Sequence, residues 1–333
     1  MTPAMLALQS VLAAGAAQQQ SVLDPSGPQA DGIARLWWLA FWIATTVYVI
    51  TIGTLLWSAW RAHRRARSGA EPPANAEHVM RGAVGGAVGV TVAILLVFVF
   101  YDFSAGKSLR PPERSNYLTI KLTGHQWWWE VEYADTLAHN RVTGANEIHI
   151  PVGEPVRVEL SAADVIHSLW VPELAGKRDL VPGYQQTIWL QADTAGVYRG
   201  QCAEFCGLQH ALMAIYVIAD PPDRFQSWLA SQREPAPTPT DSVAARGRQV
   251  FLGAHCPMCH SITGIPAYGR VGPDLTHLAG RKTIGAGTLA NTRGNLAGWI
   301  INPQSIKPGN QMPPGQLEPR DLQALLSYLE TLK

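Results

Sequence analysis

Charge is scarce in this chain of 333 residues: Asp, Glu, Lys and Arg make up 15% of it, against about 25% in an ordinary soluble protein. A wholly soluble chain is therefore disfavoured. A disordered one is excluded, because 47% of the residues are hydrophobic and 12 are tryptophan, enough apolar surface to drive folding. Net charge is nearly absent as well. With 26 Lys plus Arg against 25 Asp plus Glu, nothing in the total points to a nucleic-acid partner. Cysteine is the third scarcity. Four cysteines in this length are too few for a disulfide scaffold, and they fall as two pairs, Cys202 with Cys206 and Cys256 with Cys259. Length alone leaves room for two or three domains.

Two stretches lack Asp, Glu, Lys, Arg and His altogether: 25 residues from Leu36 to Trp60 and 20 from Gly82 to Tyr101. At about 1.5 Å per residue, each helix would cross a hydrocarbon core of roughly 30 Å. Trp37, Trp38, Trp57 and Trp60 cluster at the two ends of the first stretch, as an interfacial aromatic belt would. Residues 33–104 are thus predicted to form a transmembrane helical hairpin in a bacterial plasma membrane. Between the spans lie Arg61, Arg64, Arg65, Arg67 and Arg81, which make the connection cytoplasmic by the positive-inside rule. Both termini and everything after Tyr101 then fall on the outer, periplasmic side. Residues 1–32 form an N-terminal segment in which Met5 to Ala17 is apolar and ends in small residues, like a signal peptide without its cationic start.

Residues 105–232 read as an all-β domain. Tyr117 to Leu122, Trp127 to Tyr133, Glu147 to Ile150, Val156 to Leu160, Thr187 to Leu190 and Ala214 to Ile218 are short, apolar and partly alternating, and Gly and Pro punctuate them. Residues 233–242 are a Pro-rich linker, expected to be extended and semi-rigid. Residues 243–333 have helical spacing at Val243 to Leu252, Leu296 to Ile301 and Pro319 to Leu332, and form a small all-α domain near the size limit for an unaided core. The even charge total hides segregation: residues 106–232 hold 10 Lys plus Arg against 14 Asp plus Glu, and residues 240–333 hold 9 against 5. Such opposite fields favour mutual docking, weakened by salt.

The first cysteine pair sits in Cys202-Ala203-Glu204-Phe205-Cys206-Gly207-Leu208-Gln209-His210-Ala211-Leu212-Met213. Two thiols, an imidazole and a thioether within this run suit copper, since soft sulfur favours the reduced ion and imidazole serves both oxidation states. A disulfide would leave His210 and Met213 unexplained, zinc does not normally use Met, and Met213 by itself is equally a core residue. A second imidazole is needed, and His167 is the best placed. With the hairpin upstream, the cluster resembles the copper A subunit, subunit II, of cytochrome c oxidase over roughly residues 22–230. The resemblance implies a cupredoxin-like β-barrel with two coppers bridged by Cys202 and Cys206. It also implies that His167 and His210 each bind one copper, that Met213 is a weak ligand and that Glu204 binds through its main-chain carbonyl. The Glu204 carboxylate would face a magnesium ion at the interface with subunit I, and Asp164 would orient His167. Trp127, first of the run Trp127-Trp128-Trp129, would be the point at which electrons arrive. Glu77 stands where the family places an acid at the mouth of a proton pathway, although this second span lacks the family's usual neighbouring motif.

The second pair lies in Cys256-Pro257-Met258-Cys259-His260, the C-x-x-C-H signature of covalently attached heme c. Redox or zinc pairing is the alternative for a bare pentapeptide. The sixth iron ligand is sought among Met312, His277 and His255, with Met312 the natural choice because Met258 lies inside the attachment loop. Gly272-Pro273-Asp274-Leu275 adds a resemblance to class I cytochrome c, which implies that the Pro273 carbonyl orients His260. The whole chain therefore resembles an oxidase subunit II with a cytochrome c fused at its C-terminus. That implies a translocase in which an external donor, a cytochrome c or a bc-type complex, reduces the heme. Copper A would then pass electrons to subunit I, which reduces oxygen, with subunit III alongside. A stand-alone membrane electron carrier and the copper A protein of another respiratory reductase are the competing readings.

Overall fold

The structure is a computed structural model describing residues 20–69, 75–106, 109–112, 116–134 and 141–333. The apolar stretch Met5 to Ala17 lies outside the described residues. The chain divides into two compact units, residues 31–111 and residues 1–30 with 112–333.

The first unit consists of two long helices, α1 (Pro28–Ser68, whose first turn belongs to the other unit) and α2 (Ala76–Gly106). Both contain windows long and apolar enough to cross a bilayer, and their large apolar side chains are exposed on nearly every face. The basic run does not form the loop that its polarity predicts. Helix α1 continues through Arg61 to Arg67, because arginine is a good helix former and its guanidinium can reach back one turn. Arg61 lies 5.2 Å from the Trp57 ring centroid and Arg64 lies 4.8 Å from that of Trp60. Glu77 is likewise helical, in the first turn of α2, where it favours the helix dipole and accepts from Arg81 at 2.7 Å.

The second unit opens with residues 21–30 strapped to a β-structure: Ser26 N donates to Glu173 O at 2.7 Å, and Gln29 Nε2 donates to Trp189 O at 2.6 Å. Ten strands follow: β1 (Leu118–His125), β2 (Trp128–Tyr133), β3 (Val142–Ala145), β4 (Glu147–Pro151), β5 (Val156–Ala162), β6 (His167–Trp170), β7 (Arg178–Leu180), β8 (Gln186–Leu190), β9 (Gly196–Cys202) and β10 (Ala214–Asp220). They make two five-stranded sheets, ordered β3-β2-β1-β5-β8 and β4-β10-β9-β6-β7. Pairs β1–β5 and β4–β10 are parallel and the remainder antiparallel. Alternation sends Leu122, Trp129, Val131, Val158, Leu160 and Val217 into one core, as a half-buried strand requires. Helix α3 (Pro222–Ser231) closes this barrel with Phe225 and Leu229, and stacks Trp228 on His149 with centroids 3.9 Å apart.

The linker does not stand free as a spacer. Ala236 N donates to Thr263 O at 2.9 Å, so residues 233–242 run along the following domain. There, α4 (Ser242–Gly253), capped by Asp241 accepting from Ala244 N, packs on α8 (Pro319–Leu329) through Phe251 and Tyr328. Between these helices lie α5 (Cys256–Cys259), the two-stranded sheets β11–β12 (Ser261–Ile262, Ala267–Tyr268) and β13–β14 (Thr283–Ile284, Leu289–Ala290), α6 (Arg293–Ile301) and α7 (Pro303–Ile306). Every residue of β10 is buried, because one face meets the barrel core and the other is covered. Part of that cover comes from this helical domain: Ala214 N donates to Ala286 O at 3.0 Å.

Candidate functional site

Strand β9 ends at Cys202 and β10 begins after Met213, so the cysteine run is a loop joining two paired neighbours, while β6 supplies His167 from the adjacent strand. The loop's donors converge. Cys202 Sγ lies 3.8 Å from Cys206 Sγ, His167 Nδ1 lies 3.9 Å from Cys202 Sγ, and His210 Nδ1 lies 3.6 Å from Cys206 Sγ. Met213 Sδ is 3.8 Å from Cys206 Sγ, and the Glu204 carbonyl is 3.2 Å from Cys202 Sγ. Two thiols thus lie between two imidazoles, with a thioether near one thiol and a carbonyl near the other. Six such donors exceed what one tetrahedral ion takes and fit a pair of soft-ligand copper ions.

The surroundings set protonation and orientation. A carboxylate accepts only, so His167 Nε2 carries the proton it gives to Asp164 Oδ1 at 2.8 Å, and Nδ1 turns its lone pair to Cys202. Burial raises the Asp164 carboxyl, but hydrogen bonds from His167, Val165 N and Gln126 N outweigh it and leave the group below its ordinary value. Burial also pulls His167 down, and its bonds to Cys202 and Asp164 more than offset that. The hydrogen bond shared by the two cysteines draws Cys202 towards thiolate and pushes Cys206 up. A Cβ on Gly124 would stand 2.7 Å from His167 Cδ2, so the absence of a side chain there seats the ring. The Glu204 side chain is exposed.

The second site is a cavity of about 700 Å³ lined by Cys256, Cys259, His260 and Met312, with Leu275, Leu296, Trp299 and Leu325 among its apolar walls. That size and lining suit a large flat apolar group. His260 Nδ1 donates to Pro273 O at 2.8 Å, which leaves Nε2 as the free lone pair. Burial lowers the His260 pKa and so keeps the ring neutral, as a metal ligand must be. His277 does not line the cavity: its ring nitrogens face Lys333 O at 2.7 Å and Gln232 O at 3.1 Å. His255 lines the cavity, as Met312 does.

The same cavity is also walled by Gln126, Trp127 and Trp128 of the barrel. Trp127 is buried, and its Nε1–H donates to Cys206 O at 2.9 Å. Trp128 instead stacks on His125, and Trp129 fills the core beside His167 with centroids 6.0 Å apart. Sequence reasoning missed the groups that join the domains. Lys307 Nζ donates to Trp127 O at 2.7 Å and to Gly285 O at 3.0 Å, Gln209 Nε2 donates to Pro308 O at 2.6 Å, and Glu147 Oε1 accepts from Lys282 N at 2.6 Å. Burial pushes the Lys307 amine down to about 7, against the pull of Cys206. No local signal marks these residues, since their partners in the other domain lie about a hundred residues away or more.

The family model for the periplasmic domain of cytochrome c oxidase subunit II matches residues 136–219, and that for cytochrome c matches residues 244–333. Cytochrome c oxidase subunit 2 of Alkalihalophilus pseudofirmus is 37% identical over 322 residues, covering 94% of this chain and 91% of its own length. The chain belongs to the cytochrome c oxidase subunit II family. Its relative in Bacillus sp. strain PS3 is 34% identical over 73% of this chain and 70% of that protein. The solved periplasmic domain of subunit II from Bradyrhizobium japonicum is 32% identical, with a TM-score of 0.34, and covers 37% of this chain and 96% of that one. This subunit II is thus the membrane-anchored, cytochrome c-bearing member of an oxidase complex, with a cupredoxin-like domain after two apolar helices. Membership implies copper A, heme c and the other oxidase subunits as partners.

Proposed function

We propose that this subunit receives electrons from an external donor at its own heme c and relays them through copper A to subunit I, where oxygen is reduced and protons are pumped. Cys256 and Cys259 would hold the heme covalently, His260 and Met312 would ligate its iron, and the Pro273 carbonyl would fix the His260 ring. Cys202, Cys206, His167, His210, Met213 and the Glu204 carbonyl would hold the two coppers, with Asp164 orienting His167. When bound, the two groups supply one-electron carriers that share charge over a rigid set of ligands. The chain's residues do the rest. They hold the His167 and His260 imidazoles in the tautomer with a free lone pair, and place Trp127 between the cavity and Cys206. The observation that carries this reading is that Trp127 belongs to the cavity wall and is hydrogen-bonded to a cysteine of the other site.

By the positive-inside rule the arginines after Trp57 face the cytoplasm and the redox domains face the periplasm. The exposed Glu204 carboxylate is free to reach a magnesium ion at subunit I. Glu77, exposed and paired only with Arg81 among the described residues, is the acid at the cytoplasmic end of the second helix. The test is metal analysis with co-purification. About two coppers and one covalent heme per chain, with subunit I and subunit III retained, are expected. A chain without copper, or one that never associates with a heme-copper subunit I, overturns the reading.

A further inference from the structure

The loop after α7 does two things at once. Residues 307–309 are fastened to the barrel, and Met312 follows on the same loop and lines the heme cavity. The fastening is specific. Lys307 is 2% exposed, and among the described residues it forms no ion pair. Its amine is satisfied instead by two carbonyls, those of Trp127 and Gly285, at 2.7 and 3.0 Å. Both carbonyl residues line the heme cavity, one from each domain. Next to it the Pro308 carbonyl accepts from the buried Gln209, the residue before His210, and a Cβ at Gly309 would stand 3.0 Å from Leu208. The loop is tied back to Met312 as well: Gln304 Nε2 donates to Asn310 O at 2.7 Å and Met312 O at 3.0 Å.

Burying an amine without a counter-ion costs free energy that an apolar side chain of the same length would not. A lysine kept there needs a reason other than stability. We infer that Lys307 is the positioning residue of the interdomain electron step, holding the Trp127 backbone and the Gly285 turn together so that the heme cavity meets copper A across a fixed wall. This inference rests on the proposed relay and deepens it. An amine donates to both carbonyls whether or not it carries a charge, so the role does not depend on its protonation. Transfer across such a wall needs no diffusive docking of the basic domain on the acidic one. It should therefore be indifferent to ionic strength, in contrast to the salt-weakened docking that the charge segregation predicts.

The test uses the full chain loaded with heme and copper. The heme is reduced rapidly, and the appearance of reduced copper is followed optically at low and high salt, in the wild type and in Lys307→Met, which keeps the apolar stem and removes the donors. The wild-type rate is expected to be independent of salt. In Lys307→Met it should fall by about tenfold or more, the scale of loss on misplacing reacting groups, and become salt-dependent, with heme and copper spectra retained. Lys307→Gln, which keeps N–H donors on a shorter stem, is expected in between. Hydrogen exchange at the Ala214 amide, bonded to Ala286 O across the domains, gives a readout that needs no electron transfer and should quicken in Lys307→Met. Unchanged rate and exchange in both variants overturns the role of Lys307, as does a slower rate that stays salt-independent with unchanged exchange. A wild-type chain whose reduced heme never reduces its copper overturns the relay itself.

Discussion

The indole N–H of Trp127 donates to the main-chain carbonyl of Cys206 at 2.9 Å, while the backbone carbonyl of Trp127 accepts from Lys307 of the cytochrome domain. One residue is thus held from both sides, by the metal-site loop and by the loop that leads to Met312. Trp127→Phe keeps an aromatic ring in the wall and removes the bond to Cys206. Heme-to-copper transfer should slow by about tenfold or more, with the heme absorbance unchanged, as rapid-mixing spectroscopy of the variant would reveal.

Met312→Ala should abolish the weak red absorption of sulfur-ligated heme and lower the heme potential, since a thioether ligand raises it. His277→Ala should leave that band in place, because its ring nitrogens face the Lys333 and Gln232 carbonyls. Persistence of the band in Met312→Ala would assign the iron's sixth position elsewhere.

At Gly124 a methyl group would press on the His167 ring at 2.7 Å. Gly124→Ala should weaken copper binding by about 10- to 100-fold, the scale seen when support of a ligand imidazole is disturbed, and leave the covalent heme untouched. Copper titration beside a heme stain separates the two effects.

The Glu147 carboxylate is buried, which raises its pKa against the opposing Lys282 N–H, and Oε1 accepts the amides of both Lys282 and Thr283. Glu147→Ala removes these acceptors and should weaken the domain contact by about 1–3 kcal/mol, read as faster hydrogen exchange at those two amides.

His149 is stacked on Trp228, and burial pushes its pKa down to about 4, overcoming the hydrogen bond that its Nδ1 donates to Asp220. Between about 4 and the ordinary value of 6.5 the unfolded chain binds the proton and the folded one does not. Stability is therefore full above pH 6.5 and falls as the pH drops towards 4, by about 3 kcal/mol in all. Denaturant titrations across this range should show the slope, and His149→Phe should flatten it.

The grouping of these side chains was legible because it is local. C-x-x-C-H and the run from Cys202 to Met213 each place their donors within one loop, so residue types and spacing suffice. His167 needed a topological step, since β6 lies beside β9 and nothing in the order of the chain says so. Strand β6 itself left no alternation to read, because His167, Ser168 and Leu169 are all buried. The helical continuation through Arg61 to Arg67 was hidden by polarity, which marks a water-facing surface but not the end of a helix. Least legible was the junction between domains. Lys307 sits in a stretch with no motif, and its partner Trp127 lies 180 residues away, so only the fold discloses their contact.

A cavity whose wall is contributed by two domains constrains how the sequence can drift. A substitution at Gln126 or Trp127 alters the lining of the heme cavity as well as the contact with the Cys206 carbonyl of the metal loop, and one at Lys307 alters that lining together with the contact to Trp127. Lineages carrying the fused cytochrome should therefore change these positions in concert.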